Sequence, residues 1–197
     1  MPPRTRAKMV EETRAKLLTA ARVAFAKYGY AAASMDDMTA DAGLTRGALY
    51  HNFGDKRGLF AAVVDEIDSA MAESAMEAGN AAGGGWSGLV AEGAAYIEMA
   101  LQPDVQRIVL LDGPSVLGDP SQWPSQGRCL QATISTLRDL AHDGQVRSVD
   151  IEALARLLNG AALTGAIWVA ASSDPHITLP KAIAAFECLA SGCLTNR

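Results

Sequence analysis

The chain has 197 residues, 49% apolar, 20% charged and 6% aromatic, with a net charge of −5. A chain of this length buries roughly 70% of its unfolded surface, and the apolar content excludes a wholly disordered polypeptide. Three cysteines exclude a dense disulfide scaffold, and 18 glycines with 8 prolines are too few for a collagenous or low-complexity chain.

Helical signals run throughout. Ala, Leu, Met and Glu dominate and the β-branched residues are scattered, so the expected class is all-α with about nine helices. The basic N-terminus is followed by no apolar run, so no secretory signal is expected. A first helix is expected over Val10 to Lys27. Its apolar stripe is Leu17, Leu18, Ala21, Phe25 and Tyr28, and Gly29 ends it. Ser34 can cap a second helix, Met35 to Ala42, with Asp37 as an acidic variant of the capping box and Gly43 as the stop. Thr45 caps a third, Arg46 to Asn52, closed by Gly54. Asp55 caps a fourth, from Lys56 to about Ala78.

The stretch 79–85 (Gly-Asn-Ala-Ala-Gly-Gly-Gly) reads as a flexible linker. Helices are expected beyond it at 87–101, 103–112, 123–142, 150–172 and 179–193. Pro103 sits in a first turn, Asp150 and Thr178 are caps, and Gly113 to Pro120 forms an irregular elbow. The 17 uncharged residues from Leu157 to Ser173 fall short of the ~20 that a membrane span needs, so a buried helix is expected there and no membrane partner.

Charge is asymmetric. Residues 1–60 hold ten Lys/Arg against six Asp/Glu, a net of +4, whereas residues 61–197 carry −9. A basic head on an acidic body is expected to meet a polyanion through the head alone; a solvated basic helix face has the same composition. Arg4, Arg6 and Lys8 form an arm that either reaches the minor groove, adds non-specific affinity, or is a solvated tail.

The segment from Ser34 to Phe53 has the spacing of a helix-turn-helix. Met38 and Ala42 face Leu44 and Leu49 across a turn in which Gly43 accommodates a positive φ. The second helix then presents Thr45, Arg46, Gly47, Tyr50 and His51 outward. Residues 44–60 (Leu-Thr-Arg-Gly-Ala-Leu-Tyr-His-Asn-Phe-Gly-Asp-Lys-Arg-Gly-Leu-Phe) resemble the recognition-helix signature of the tetracycline-repressor (TetR) family. Ala-Phe-Ala-Lys-Tyr-Gly-Tyr at 24–30 and Ser-Met-Asp-Asp at 34–37 are similar to its first and second helices. The likeness covers about residues 10–65; beyond them only the number and order of helices match.

The resemblance implies a dimeric, cytoplasmic bacterial transcription factor, most often a repressor that leaves its double-stranded DNA operator when a small molecule binds. It implies phosphate contacts at Ser34, Tyr50, His51 and Lys56, and base reading at Thr45, Arg46 and Gly47. Residue chemistry agrees. An arginine fork at Arg46 suits guanine N7 and O6, and Gly47 admits the backbone to the groove floor. Tyr50 and His51 can donate to phosphates, and Lys56 stands at a helix N-terminus that already attracts one.

The resemblance divides the chain into a DNA-binding head, residues 9–69, and a ligand-sensing and dimerisation body, residues 70–197, whose last two helices form an intersubunit four-helix bundle. The 150–172 helix is rich in Ala and Gly, which suits close approach either to a partner or to this chain's own core. Tyr96, Met99, Trp123 and Trp168 are candidate cavity walls, with Arg107, Asp112 or Asn159 as polar contacts; core packing would use the same residues. Few cations in the body disfavour an anionic ligand, leaving an apolar or amphipathic effector. Catalysis, metals and cofactors are not expected. His51, His142 and His176 lie in unrelated segments, Cys188 and Cys193 form no CxxC pair, and no P-loop, GxGxxG or GxSxG occurs. The alternative is a helical enzyme or ligand-binding protein with a merely structural head; the enzyme would be supported by a catalytic base in the body, and the sequence shows none.

Overall fold

The computed structural model describes residues 6–195. Among them it is all-α, with nine α-helices: α1 Arg6–Ala32, α2 Met35–Asp41, α3 Arg46–Phe53, α4 Lys56–Ala81, α5 Gly85–Glu98, α6 Gly113–Leu117, α7 Pro124–His142, α8 Ile151–Ala171 and α9 Pro175–Ser191. A π-helix, Val105–Asp112, runs directly into α6, and short 3₁₀ turns lie at Met99–Leu101 and Pro120–Gln122.

The caps of the head form as the sequence predicts. Ser34 Oγ accepts from the Asp37 amide at 3.3 Å, Thr45 Oγ1 from Ala48 at 3.3 Å and Asp55 Oδ1 from Gly58 at 2.7 Å. Each satisfies an amide left without a partner at a helix start. Gly29 breaks α1 with φ +75° and ψ 168°, after which one more helical turn leads into α2. Gly43 takes φ +65° in the helix-turn-helix turn.

Three expectations for the body are corrected. The linker over 79–85 does not exist as such: α4 continues through Gly79 to Ala81, and only a tight turn separates it from α5. The reason is packing. α4 and α5 cross closely at Gly79 and Gly88, where a Cβ on Gly88 would lie 3.0 Å from the Gly79 carbonyl oxygen. The elbow at 113–120 is helical as far as Leu117, because Pro114 occupies a first-turn position that needs no amide. The last helix starts at Pro175 behind Asp174, whose carboxylate accepts from Ile177 at 3.1 Å; Thr178 lies inside it.

One hydrophobic core runs from Leu17, Phe25, Met38, Leu49 and Phe60 in the head through Ile67 and Met71 of α4 to Ile97, Ile108 and Phe186. Phe25, Tyr30 and Phe60 pack as an aromatic trio, with the Phe60 ring 5.0 Å from Phe25 and 4.9 Å from Tyr30. A second, smaller core of Leu89, Ile134, Leu137, Leu140, Val146 and Ala155 sits beneath α7.

Candidate nucleic-acid interface and body cavity

Leu49 anchors α3, being fully buried, and the helix period then turns Arg46, Gly47, Tyr50 and His51 to solvent, with Thr45 exposed at the cap. Tyr50 is half exposed. The cap hydroxyls of Ser34 and Thr45 spend a lone pair on the backbone and keep their O–H proton for an external acceptor. Arg46 is held by Asp36 across the helix-turn-helix, Nε to Oδ1 2.5 Å, with both side chains exposed. Lys56 is half-buried. Its ammonium donates to the Ala31 carbonyl at 3.2 Å and lies 4.9 Å from the Tyr30 ring centroid, and burial lowers its pKa. It therefore ties α4 to the end of α1 while remaining partly exposed. Of the basic arm, Arg4 lies outside the described residues and Lys8 belongs to the first turns of α1.

The seam between head and body is polar and specific. Arg22 of α1 grips Asp104 with two nitrogens, Nε at 2.8 Å, and reaches Glu66 at 3.7 Å. Burial works against the Asp104 carboxylate, but the Arg22 and Val105 hydrogen bonds hold its pKa below the usual aspartate value. Asp112 accepts the Tyr30 amide at 2.7 Å, an amide freed by the break at Gly29, and also Arg107 Nε at 3.2 Å. Arg57 donates to the Val116 carbonyl at 3.2 Å. Arg107 and Asp112, expected as ligand contacts, are thus spent on this seam.

The body contains a cavity of about 370 Å³ bounded by α4, α5, α7, α8 and α9. Its apolar walls include Met76, Trp86, Leu89, Leu158 and Phe186. Of the four expected wall residues the structure brings Tyr96 here, and Asn159 joins it. Met99 is buried in the main core, and Trp168 stands half exposed on the outer face of α8. Trp123 packs its ring on Gly113, and its indole Nε1 is buried without an acceptor. Trp86 was missed because it directly follows the glycine run taken for a linker.

Behind the Tyr96 wall lies Asp68 of α4, fully buried. Ser125 Oγ donates to it at short range, Gln126 Nε2 at 3.1 Å, and the Tyr96 hydroxyl sits 3.5 Å away. Burial pushes the Asp68 pKa up, against the pull of these donors, and also pushes up the Tyr96 phenol beside it. Glu92 lines the cavity and burial raises its pKa too.

Several small residues of α8 point inward, while Ala153 and Ala171 are exposed. Ala155, Ala162, Ala166 and Ala170 are buried, and a Cβ on Gly165 would lie 3.2 Å from Ile97 Cδ1 of α5. They bring α8 close to its own chain. The outward face instead carries bulk: Leu157 (73% exposed) and Trp168 on α8, and Ile177 and Leu189 (64%) on α9. The expected buried helix is therefore one-sided. α8 is long and apolar enough to cross a membrane by composition, yet only 28% of that stretch is buried in the chain.

Two family models match: "Bacterial regulatory proteins, tetR family" over residues 17–63, and "Tetracyclin repressor-like, C-terminal domain" over 86–193. The chain is similar to a crystal structure of a TetR-family transcriptional regulator from Pectobacterium atrosepticum, at 46% identity and TM-score 0.87, covering 98% of this chain and 99% of that one. It is 31% identical over 149 residues to the HTH-type transcriptional repressor AcnR of Corynebacterium jeikeium, 75% of this chain and 76% of that protein. With AcnR of Corynebacterium efficiens the identity is 40% over 67 residues, and the match spans 36% of that protein's length and 34% of this chain.

Proposed function

Because the chain belongs to the TetR family of bacterial regulatory proteins, we propose that it is a repressor that binds a palindromic operator as a homodimer and leaves it when a small molecule fills the body cavity. The family is one of regulators, not enzymes. In this reading residues 9–69 are the DNA-binding head and 70–197 the sensing and dimerisation body, with the border inside the continuous α4. α3 lies in the major groove. Thr45, Arg46 and Gly47 read base edges, and Ser34, Tyr50, His51 and Lys56 hold phosphates. Arg46 exchanges Asp36 for a guanine, a trade that an exposed ion pair permits, since such a pair is worth only about 0–1 kcal/mol.

The outward apolar face of α8 and α9 is covered by the same face of a second copy, which places two recognition helices on one side of the DNA. A cytoplasmic site of action, at the nucleoid when bound, goes with this function. The effector acts by favouring one arrangement of α4 over another, and it can do so only through different affinities for the two. α4 is the element shared by cavity and head: Ser69, Ala72 and Met76 line the cavity, while Leu59 and Phe60 are packed in the head core.

The observation that carries this reading is the solvent-facing row of Arg46, Gly47, Tyr50 and His51 on a helix anchored by Leu49, in a head that is basic while the body is acidic. Selection of sites from a random DNA pool with the purified protein tests it. A palindromic consensus whose half-sites are spaced by about one helical turn, or a multiple, supports it. Recovery of unrelated sequences, or of single half-sites only, refutes it.

A further inference from the structure

We propose that the body cavity is built for a lipophilic organic cation, an amine or quaternary ammonium carried on an apolar or aromatic body. The inference rests on the cavity being the effector site. Its walls are mostly apolar and include three aromatic residues, Trp86, Tyr96 and Phe186, the residue type whose rings attract a cation. The charged groups lining it are two acids, Glu73 and Glu92, and one base, Arg128. Glu73 and Arg128 are both exposed, Arg128 donating to Ser69 Oγ at 2.9 Å, so these two opposite charges belong to the rim and Glu92 is the charged group of the inner wall.

Glu92 is the key group. Its side chain lies in the α4–α5 crossing, where a Cβ on Gly79 would meet its Cγ and Oε1 at 2.5 Å. The crossing at Gly79 thus leaves room for a carboxylate, and no donor or cation of the described residues reaches it. Behind it, Asp68 is fully buried with hydrogen-bond donors but no Lys or Arg among the described residues to pair with. One inward acid on the wall, a second behind it and no inward cation leave negative potential unanswered in a low-dielectric space. An ammonium near Glu92 answers it; a carboxylate ligand would deepen it. The direction of the Glu92 shift fits, since a carboxyl that burial drives toward protonation gains most from an incoming cation.

The test uses an isosteric pair, 4-phenylbutyl-trimethylammonium and its neutral analogue with carbon in place of the ammonium nitrogen, together with 6-phenylhexanoate, an anion of similar length. Binding to the full-length protein is read by calorimetry and by Trp86 fluorescence, with Trp86→Phe identifying the signal. Through charge attraction and cation–π contact the cation is expected to bind on the order of tenfold more tightly than the neutral isostere, and the anion worst. In Glu92→Gln, an isosteric change, the cation's advantage shrinks while the isostere's affinity stays. The comparison of probes on the unaltered protein holds even if that variant folds poorly. Equal binding of cation and isostere, unchanged in Glu92→Gln, overturns the inference and leaves the cavity as an effector site. Absence of binding by all three, with operator binding intact, overturns both.

Discussion

Replacing Gly29 by alanine asks what holds the break in α1. The residue sits at φ +75°, ψ 168°. Essentially only glycine occupies that region, and keeping an L-residue there costs about 1–3 kcal/mol. A Cβ would also fall 2.0 Å from Arg107 Nη2. That atom ends a flexible side chain, so the guanidinium swings away and gives up its 3.2 Å contact with Asp112. Arg107 is nearly half exposed, and losing such a pair costs no more than about 0.5 kcal/mol. The backbone and steric costs together come to about 1–3.5 kcal/mol, which lowers Tm by about 2–14 °C in a chain of this size. Thermal melts by circular dichroism of Gly29→Ala, Arg107→Ala and the double variant separate the two. Arg107→Ala alone is expected to cost about 0.5 kcal/mol or less, and the double variant to keep most of the Gly29→Ala loss, with a coupling below about 1 kcal/mol. If Arg107→Ala restores Gly29→Ala to the parent Tm, collision governs this joint and the backbone reasoning is wrong.

Leu157→Glu with Leu189→Glu should leave the fold intact and give a monomer in sedimentation, with operator affinity down on the order of 10²-fold as each half-site binds alone; a dimer that persists excludes this face. Arg46→Ala should cost ~1–3 kcal/mol on the cognate site and relax preference at one base pair. Lys56→Ala should weaken all DNA alike and reduce the salt slope by about 1, and equal losses on cognate and scrambled DNA for Arg46→Ala would refute its base-reading role. Asp68 has a folded pKa above its usual 3.8, so the folded state holds more protons between the two values and stability falls as pH rises through that window. The stability of Asp68→Asn minus that of the parent, from urea melts across the acid range, should therefore grow with rising pH and then level off; a flat or falling difference contradicts a buried, cation-free carboxylate.

The head was legible in the sequence because its determinants are local. Ser34, Thr45 and Asp55 cap within three residues of themselves, Gly43 sets its own turn, and the period that buries Leu49 exposes Arg46 and Tyr50 with no help from elsewhere. Charge asymmetry too needs no coordinates. In the body, composition underdetermines the outcome. The glycines at 79 and 88 read as linker or as helix crossing depending on whether another backbone comes near, and here one does. The alanines of α8 suit a partner or a core equally, and helix packing buried Ala155, Ala162, Ala166 and Ala170 and left Leu157 and Trp168 outside. Tyr96, Met99 and Trp123 are alike as large side chains; only the tertiary arrangement sends one to a cavity and two to packing. The same holds for Asp112, which is 82 residues from the Tyr30 amide it accepts. Contacts at that separation depend on how whole helices dock, and docking is decided by summed side-chain shape across the core, which no local pattern encodes.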